Sequence, residues 1–598
     1  MTDLAPGGTS GERTIMASVP APPADHRLPF IVMLLIWLVA ASAAAVSYWD
    51  RLDDSFLSPD NAMRLVEVRA LLDGAPWFDP HEPRIAPPLG YDTHWSRLID
   101  AGIAGLILLL RQLASPDLAE RLARCIWPLL LSGPAVLAVI AVAVRLGGEG
   151  AGRAALLAAL PTVALLPTFR PGEIDHHNAQ LMLSLVMLAC ATWSDRGLFA
   201  AAAGLAGGVL LSIGLEAAYV PVTVAATLGL LLVRSTDWAP AARAFGAALA
   251  LSTLIGYWAA TPAALRFTPQ CDALAVNSAL AVALGAGGLV LVASLAHRFD
   301  PRMRLAALAL IGAAALATFV AIEPRCLAGP FALVDRSIFP LWMDQVWEMQ
   351  PVVSLFRTDG LRTVVYIGFP LVAAVSAAWV VAAGLRTPLG WASLAAFAIS
   401  GLIMLGQVRI IMYVTWLGLP FVGIAAQWLA ERTSRPVLAQ IPAAVLASPA
   451  IVTLAVAALA HQVAEAKGEV TPSQEVLPCF HPQNFRALAG LPDGLVLVPL
   501  DLAPSVLAHT RHGVVAAPYH RADRAIRFNQ EVMNGPNPAA RDRVVARGVD
   551  YVVSCGRFRR DAVPGSFHAA LFAGTAGSWL DPVPGPEAEL LKVWSVKR

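Results

Sequence analysis

Over its first three quarters the chain reads as long apolar runs separated by short polar turns. A bilayer core is crossed by a helix of roughly 20 apolar residues. Runs near that length fall at about 28–47, 123–145, 152–168, 177–193, 197–213, 217–233, 241–260, 275–297, 303–322, 363–385, 389–406, 409–429 and 437–461. They predict a polytopic α-helical membrane protein with about thirteen transmembrane helices. A shorter apolar run at 99–113 is interrupted by Arg111, and it predicts an amphipathic or re-entrant helix within a loop. Beyond residue 461 the period changes. GLVLVPL (494–500), GVVAA (513–517) and DYVVSC (550–555) read as strands, whereas PSVLAHTR (504–511) and ARDRVVARG (540–548) read as helices. Residues 462–598 are therefore expected to form a small α/β domain. Residues 1–26 are rich in Pro, Gly, Ala and Ser; they cannot bury apolar area and are expected to be a disordered tail. The first apolar run starts too late for a signal peptide and is expected to be a retained first span.

Composition sharpens this picture. Charged residues make up 14% of the 598, against roughly 25% in a soluble globular protein, and mean hydropathy is +0.62. Lys plus Arg (43) and Asp plus Glu (42) nearly cancel. No basic stripe is interleaved with aromatics, so nucleic acid is not an expected partner. With a cytoplasmic N-terminus, every loop after an even-numbered span carries arginine: Arg145 and Arg153, Arg196, Arg234 and Arg243, Arg298 with Arg302 and Arg304, Arg386, then Arg432 and Arg435. The positive-inside rule makes these loops cytoplasmic. It puts two large loops, 48–122 and 323–362, outside together with the C-terminal domain. Cys271, Cys326, Cys479 and Cys555 then share that side. If it is oxidising, 271–326 and 479–555 are possible disulfides; unpaired small apolar residues are the equal alternative.

The candidate chemistry lies in the outer loops. Asp60 follows the first span, Asp175 precedes the fourth in FRPGEIDHHNAQ, and Glu348 lies in VWEMQPV. Charge this close to hydrocarbon is costly and marks function. Three carboxylates from separate loops suit one hard divalent cation, Mg²⁺ or Mn²⁺. THWSR (93–97) has the same polar character, but no motif gives it a role, so anchoring in an aromatic belt is its default.

At these residues the chain resembles the catalytic subunit of oligosaccharyltransferase, within the GT-C class of membrane glycosyltransferases. DNAMRLVEVRAL places Asp60, Arg69 and Leu71 at the offsets of that family's first-loop motif, and Trp77-Phe78-Asp79 and Pro88-Leu89-Gly90 follow in order. GEIDHH aligns Gly172 and Asp175 with a second motif, with His177 replacing its second acid. WEMQPV keeps Glu348, Gln350 and Pro351 of a third, and Arg409 opens the twelfth span as in a fourth. The resemblance covers residues 28–430 at the level of motifs.

It implies a GT-C-like domain at 27–461 and an extracytoplasmic domain at 462–598, in a bacterial-type inner membrane. It implies transfer of a sugar or glycan from a polyprenyl phosphate or diphosphate donor to an external glycan, lipid or protein. Asp60, Asp175 and Glu348 would hold the metal; Asp60, then Glu348, would act on the acceptor. Arg409, Arg69 and His177 would bind substrate. A fifth motif, Trp-Trp-Asp-Tyr-Gly, is not kept: Pro499, Leu500 and Asp501 stand at its first three positions. Sequon recognition is therefore not expected, and Asp501 with PYHRADR (518–524) is expected to face the acceptor instead. The alternatives are a true protein oligosaccharyltransferase and, in another class, a transporter or flippase of lipid-linked sugars. A transporter should carry charge at the bilayer midplane, whereas here polar residues gather at the outer ends.

Overall fold

The computed structural model describes residues 30–195, 197–384, 387–466, 477–559, 562–585 and 590–597. The expected tail at 1–26 lies outside them. Each apolar run lies on helix. The chain opens with α1 (Phe30–Tyr48) and then α2 (Pro59–Leu72), the two-residue strands β1 (His81–Glu82) and β2 (Tyr91–Asp92), and α3 (Arg97–Leu110). The bundle continues through α4 (Pro116–Gly147), α5 (Glu149–Leu165), α6 (His177–Thr192), α7 (Gly197–Ile213), α8 (Tyr219–Arg234), α9 (Ala239–Ala260), α10 (Val276–Leu295) and α11 (Pro301–Ile322). After a looped segment come α12 (Val352–Thr358), α13 (Gly360–Ala382), α14 (Gly390–Gly406), α15 (Ile411–Ala430), α16 (Pro436–Leu446) and α17 (Pro449–Ala466).

Among the described residues seven helices are long and apolar enough to cross a membrane, or eight if α16 and α17, bent by 55°, form one span. The gap from thirteen apolar runs comes from short helices: α6 and α8 have 16 residues, and α5, α7 and α14 have 17. The protein is a multi-pass membrane protein. Its helices associate through small residues, because lipid offers no hydrophobic drive between them. On α7, Gly204 and Gly208 lie against α9 so closely that a Cβ on either would collide with backbone of that helix. α15 runs through the centre of the bundle, 78% buried over its most apolar window, while α11 lies at an edge with none of its window buried.

Between Leu495 and Val596 the chain builds a mixed sheet. β3 (Leu495–Leu497), β4 (Gly513–Val514), β5 (Tyr551–Cys555), β6 (Leu580–Pro582) and β7 (Leu591–Val596) stand in the order β4-β3-β5-β7-β6. β3 is parallel to β4 and β5, and β7 is antiparallel to β5 and β6. The helices around it are α18 (Arg486–Ala489), α19 (Ala503–His509), α20 (Asp523–Met533), α21 (Asn537–Ala546) and α22 (Phe567–Ala573). One face packs on α22 and α21 through Leu497, Val552, Val544 and Phe567. The other face has no core of its own. Val496, Val506 and Tyr519 share one cluster with Phe56, Val66, Ile99 and Ile103 of the first loop. Sheet and loop therefore bury each other. Both disulfides are formed, Cys271–Cys326 and Cys479–Cys555, while Cys125 and Cys190 are free.

Candidate active site

The site starts at the first turn of α2. Pro59 occupies the opening turn, where its missing N–H costs nothing, and Ser58 is the N-cap. Asp60 is thus not the cap. Burial, and then the charges of Asp175 and Glu348, push its carboxyl up to about 8; His177 and Arg409 pull the other way. The next residue, Asn61, joins two distant motifs. Its Oδ1 accepts from the backbone N–H of Ile174 at 2.8 Å and of Asp175 at 3.1 Å, and its Nδ2 donates to Glu173 Oε2 at 2.7 Å.

The GEIDHH turn needs its glycine. Gly172 has φ +96°, and a Cβ there would press on Ser55 of the first loop, so this close crossing is open to glycine alone. Asp175 then meets two imidazoles: Oδ1 is 2.6 Å from His176 Nδ1 and Oδ2 is 3.2 Å from His177 Nε2. Burial would raise the Asp175 carboxyl, but the charges of His176 and His177 and the His176 hydrogen bond hold it well below its usual range.

The other half of the site comes from the late helices. Val408 N donates to Gln350 O at 3.1 Å, tying the WEMQPV segment to the start of the α15 span. Arg409 Nη1 lies 3.6 Å from Met349 Sδ, and its Nη2 lies 2.9 Å from His177 Nε2. Glu216, in the turn between α7 and α8, is 2.8 Å from His177 Nδ1 and 3.1 Å from Arg409 Nε. Against the cost of burial, Arg409 and His177 bring its carboxyl down to about 2.

No family model matches the sequence, and no curated protein matches it either. Solved structures do match. The apo oligosaccharyltransferase of Archaeoglobus fulgidus superposes with a TM-score of 0.63 over 93% of this chain and 73% of that one, at 14% identity. The same archaeon's AglB, in complex with an inhibitory peptide and a dolichol-phosphate, matches at 0.60 over 92% and 72%, again at 14% identity. A complex of that enzyme with Zn and sulfate matches at 0.54 over 90% and 71%, also at 14% identity. The fold is GT-C.

Within this GT-C fold, five of the six expected site residues share one electrostatic neighbourhood: Asp60, Asp175, His177, Glu348 and Arg409. Arg69 does not join them. It makes an ion pair with Glu120 at 2.7 Å and donates to Ala508 O of α19 at 2.6 Å, because α2 carries it about two and a half turns beyond Asp60, toward the C-terminal sheet. THWSR is not a lipid-facing belt either. Trp95 is 8% exposed, stacked 4.4 Å from the Arg64 guanidinium, which itself sits buried between Asp100 and Glu67. The basic segment expected to face an acceptor is also engaged. His520 Nε2 is 2.7 Å from Asp272 Oδ2, and Arg521 spans both carboxylate oxygens at 2.8 Å, with His94 packed on His520. Sequence reasoning missed Asn61 and Glu216. The available signal for Glu216 was an acid in the short turn, 214–216, between two apolar runs.

The donor set suits a divalent cation. One ligand atom from each of Asp175, His176 and His177 lies within 4.8 Å of the others. The 3.2 Å between Asp175 Oδ2 and His177 Nε2 is close to the spacing of two ligands on one ion with bonds of about 2.0–2.2 Å. The carboxylates Asp60, Asp175 and Glu348 bring more negative charge than Arg409 offsets. His94, Asp272 and His520 also bring ligand atoms within 4.8 Å of one another, but there Arg521 already closes both oxygens of Asp272.

Proposed function

We propose that the chain is a membrane glycosyltransferase. It transfers a sugar or glycan from a polyprenyl phosphate or diphosphate donor to an acceptor on the extracytoplasmic face. The observation that carries this is the convergence of Asp60, Asp175, His177, Glu348 and Arg409 within a GT-C fold. Two supports are independent of it. A matched neighbour of the same fold is bound to a dolichol-phosphate. The two disulfides join four cysteines that the arginine pattern puts on one outer side, and disulfides persist in oxidising compartments.

The acceptor nucleophile attacks the anomeric carbon as the bond from that carbon to the phosphate oxygen breaks. Arg409 meets the charge that gathers on the departing phosphate. Asp60, with Glu348 second, orients the acceptor and takes its proton. Asp175, Asp60, Glu348 and His177 would hold the divalent cation, which would supply further charge stabilisation at the leaving group. A nitrogen donor among the oxygens favours Mn²⁺ over Mg²⁺.

Sequon recognition is not part of this reading. Leu500 is buried against Ile338, Ala516 and Ile526, and Pro499 has no N–H to donate; neither provides the wall that an adjacent pair of Trp residues would. The decisive assay is transfer from a polyprenyl-linked donor, with Asp60→Asn as the inactive control. An Asn-x-Thr peptide and its Gln-x-Thr partner are offered alongside glycan and lipid acceptors. Glycosylation of the Asn peptide alone would restore the oligosaccharyltransferase assignment. Reporter fusions after Arg298 and after Gln474 should read cytoplasmic and external; the same side for both would end the thirteen-span topology.

A further inference from the structure

Glu216 lies between two groups of the site and divides its carboxylate between them. Oε2 is 2.8 Å from His177 Nδ1 and Oε1 is 3.1 Å from Arg409 Nε, and the side chain is only 14% exposed. Arg409 Nη2 in turn lies 2.9 Å from His177 Nε2, which is also 3.2 Å from Asp175 Oδ2. Glu216 closes the triangle by charge: neither His177 Nδ1 nor Arg409 Nε makes a hydrogen bond, and the carboxylate pairs with both as an ion.

We propose that Glu216 is a positioning residue: its charge, paired at once with His177 and with Arg409, seats the cation ligand and the phosphate-binding guanidinium by one carboxylate. This rests on the reading of the site as that of a cation-assisted glycosyltransferase. A carboxylate behind a ligating imidazole sets ring orientation and raises its basicity, and its loss typically weakens metal binding about 10–100-fold. His177 Nε2 would hold the cation and Arg409 Nη2 would meet a phosphate oxygen of the donor, with Glu216 paired to both residues.

The test uses the full-length protein in detergent, with Mn²⁺ binding followed by electron paramagnetic resonance and no donor present. Glu216→Gln should weaken Mn²⁺ about 10–100-fold, and it should raise KM for the polyprenyl donor more than it lowers kcat. In a His177→Ala background the same change should weaken Mn²⁺ no further. Asp175→Asn is the reference. If it weakens Mn²⁺ and Glu216→Gln does not, the role of Glu216 is wrong and the cation site stands. If Asp175→Asn leaves Mn²⁺ binding untouched, the cation site itself is wrong, and the role of Glu216 toward it falls as well. Should Glu216→Gln elute as aggregate, Glu216→Asp, which withdraws the same charge by one methylene, carries the measurement and should weaken Mn²⁺ in the same direction.

Discussion

Two polar clusters lie within the packed loops, and they differ in whether their charges cancel. Around Asp272 each carboxylate oxygen is closed by Arg521, and His520 adds a further hydrogen bond. Around Asp60 four carboxylates, its own and those of Asp175, Glu216 and Glu348, face one arginine and two imidazoles, and burial with the charges of Asp175 and Glu348 forces Asp60 toward its neutral form. A cluster that satisfies itself serves as a joint, here between the loop after α9 and the C-terminal sheet. A cluster held together against its own repulsion keeps capacity for a cation or a reacting group. The same residue types, His, Asp and Arg, occur in both, so residue type alone does not separate site from joint.

Several experiments can break or sharpen that contrast. The largest effect is expected at the unbalanced cluster. Asp60→Asn should lower transfer by about 10³-fold while leaving thermal stability unchanged or slightly raised, since it removes a repelling charge at constant volume. Wild-type turnover in this variant would remove Asp60 from the chemistry. Arg409→Ala should cost about 10²-fold in kcat/KM for the polyprenyl donor, measured against wild type at matched expression. The balanced cluster should behave the other way. Asp272→Asn strands Arg521 and His520, and removing one partner of a buried pair typically costs ~3 kcal/mol. The expected readout is a lower unfolding temperature with Mn²⁺ affinity unchanged; a changed Mn²⁺ affinity would mean that the two clusters are one site.

The smallest effect is one of pH. His94 faces His520, Asp272, Arg521, His176 and Tyr91; burial first, and then the charge of His520, holds its imidazole well below the ordinary value, with Asp272 opposing. A base whose folded value is depressed binds its proton more readily in the unfolded chain. Stability should therefore fall as pH drops below about 6.5, by up to ~1.4 kcal/mol per pH unit for one proton. Unfolding temperatures at pH 7.5 and 5.5 would show it, and His94→Gln should reduce the dependence, the rest of it coming from other depressed imidazoles such as His509 and His568.

The division between site and joint also marks how far the sequence could be followed. Apolar runs located the helices that cross or line the bilayer, because a residue's cost in lipid is set by its own chemistry, whereas α2 and α12 fell in the outer loops. The motifs around Asp60, Asp175, Glu348 and Arg409 were recognisable because each is a short segment with its spacing intact. Arg69 matched a motif offset just as well, yet its partner is a backbone carbonyl 439 residues away, and no local pattern records such a contact. Asn61 and Glu216 act through distant backbone and side chains, and so does Asp272. Crossings are harder still to count, since 16-residue helices such as α6 and α8 fall below the length a span ordinarily needs.

The disulfides place a condition on how the molecule can be made. Cys271–Cys326 closes a stretch with a sequence separation of 55, and Cys479–Cys555 one of 76. The first sits beside Asp272, and the second ties the approach to the sheet onto the end of β5. Membrane insertion supplies neither bond. A host or cell-free system that inserts every helix correctly but lacks thiol oxidation would yield a chain of the right mass, in the right bilayer, whose loop and sheet lack both crosslinks. Yield of inserted protein is then a poor guide to yield of native protein, and non-reducing electrophoresis becomes the first quality control to run.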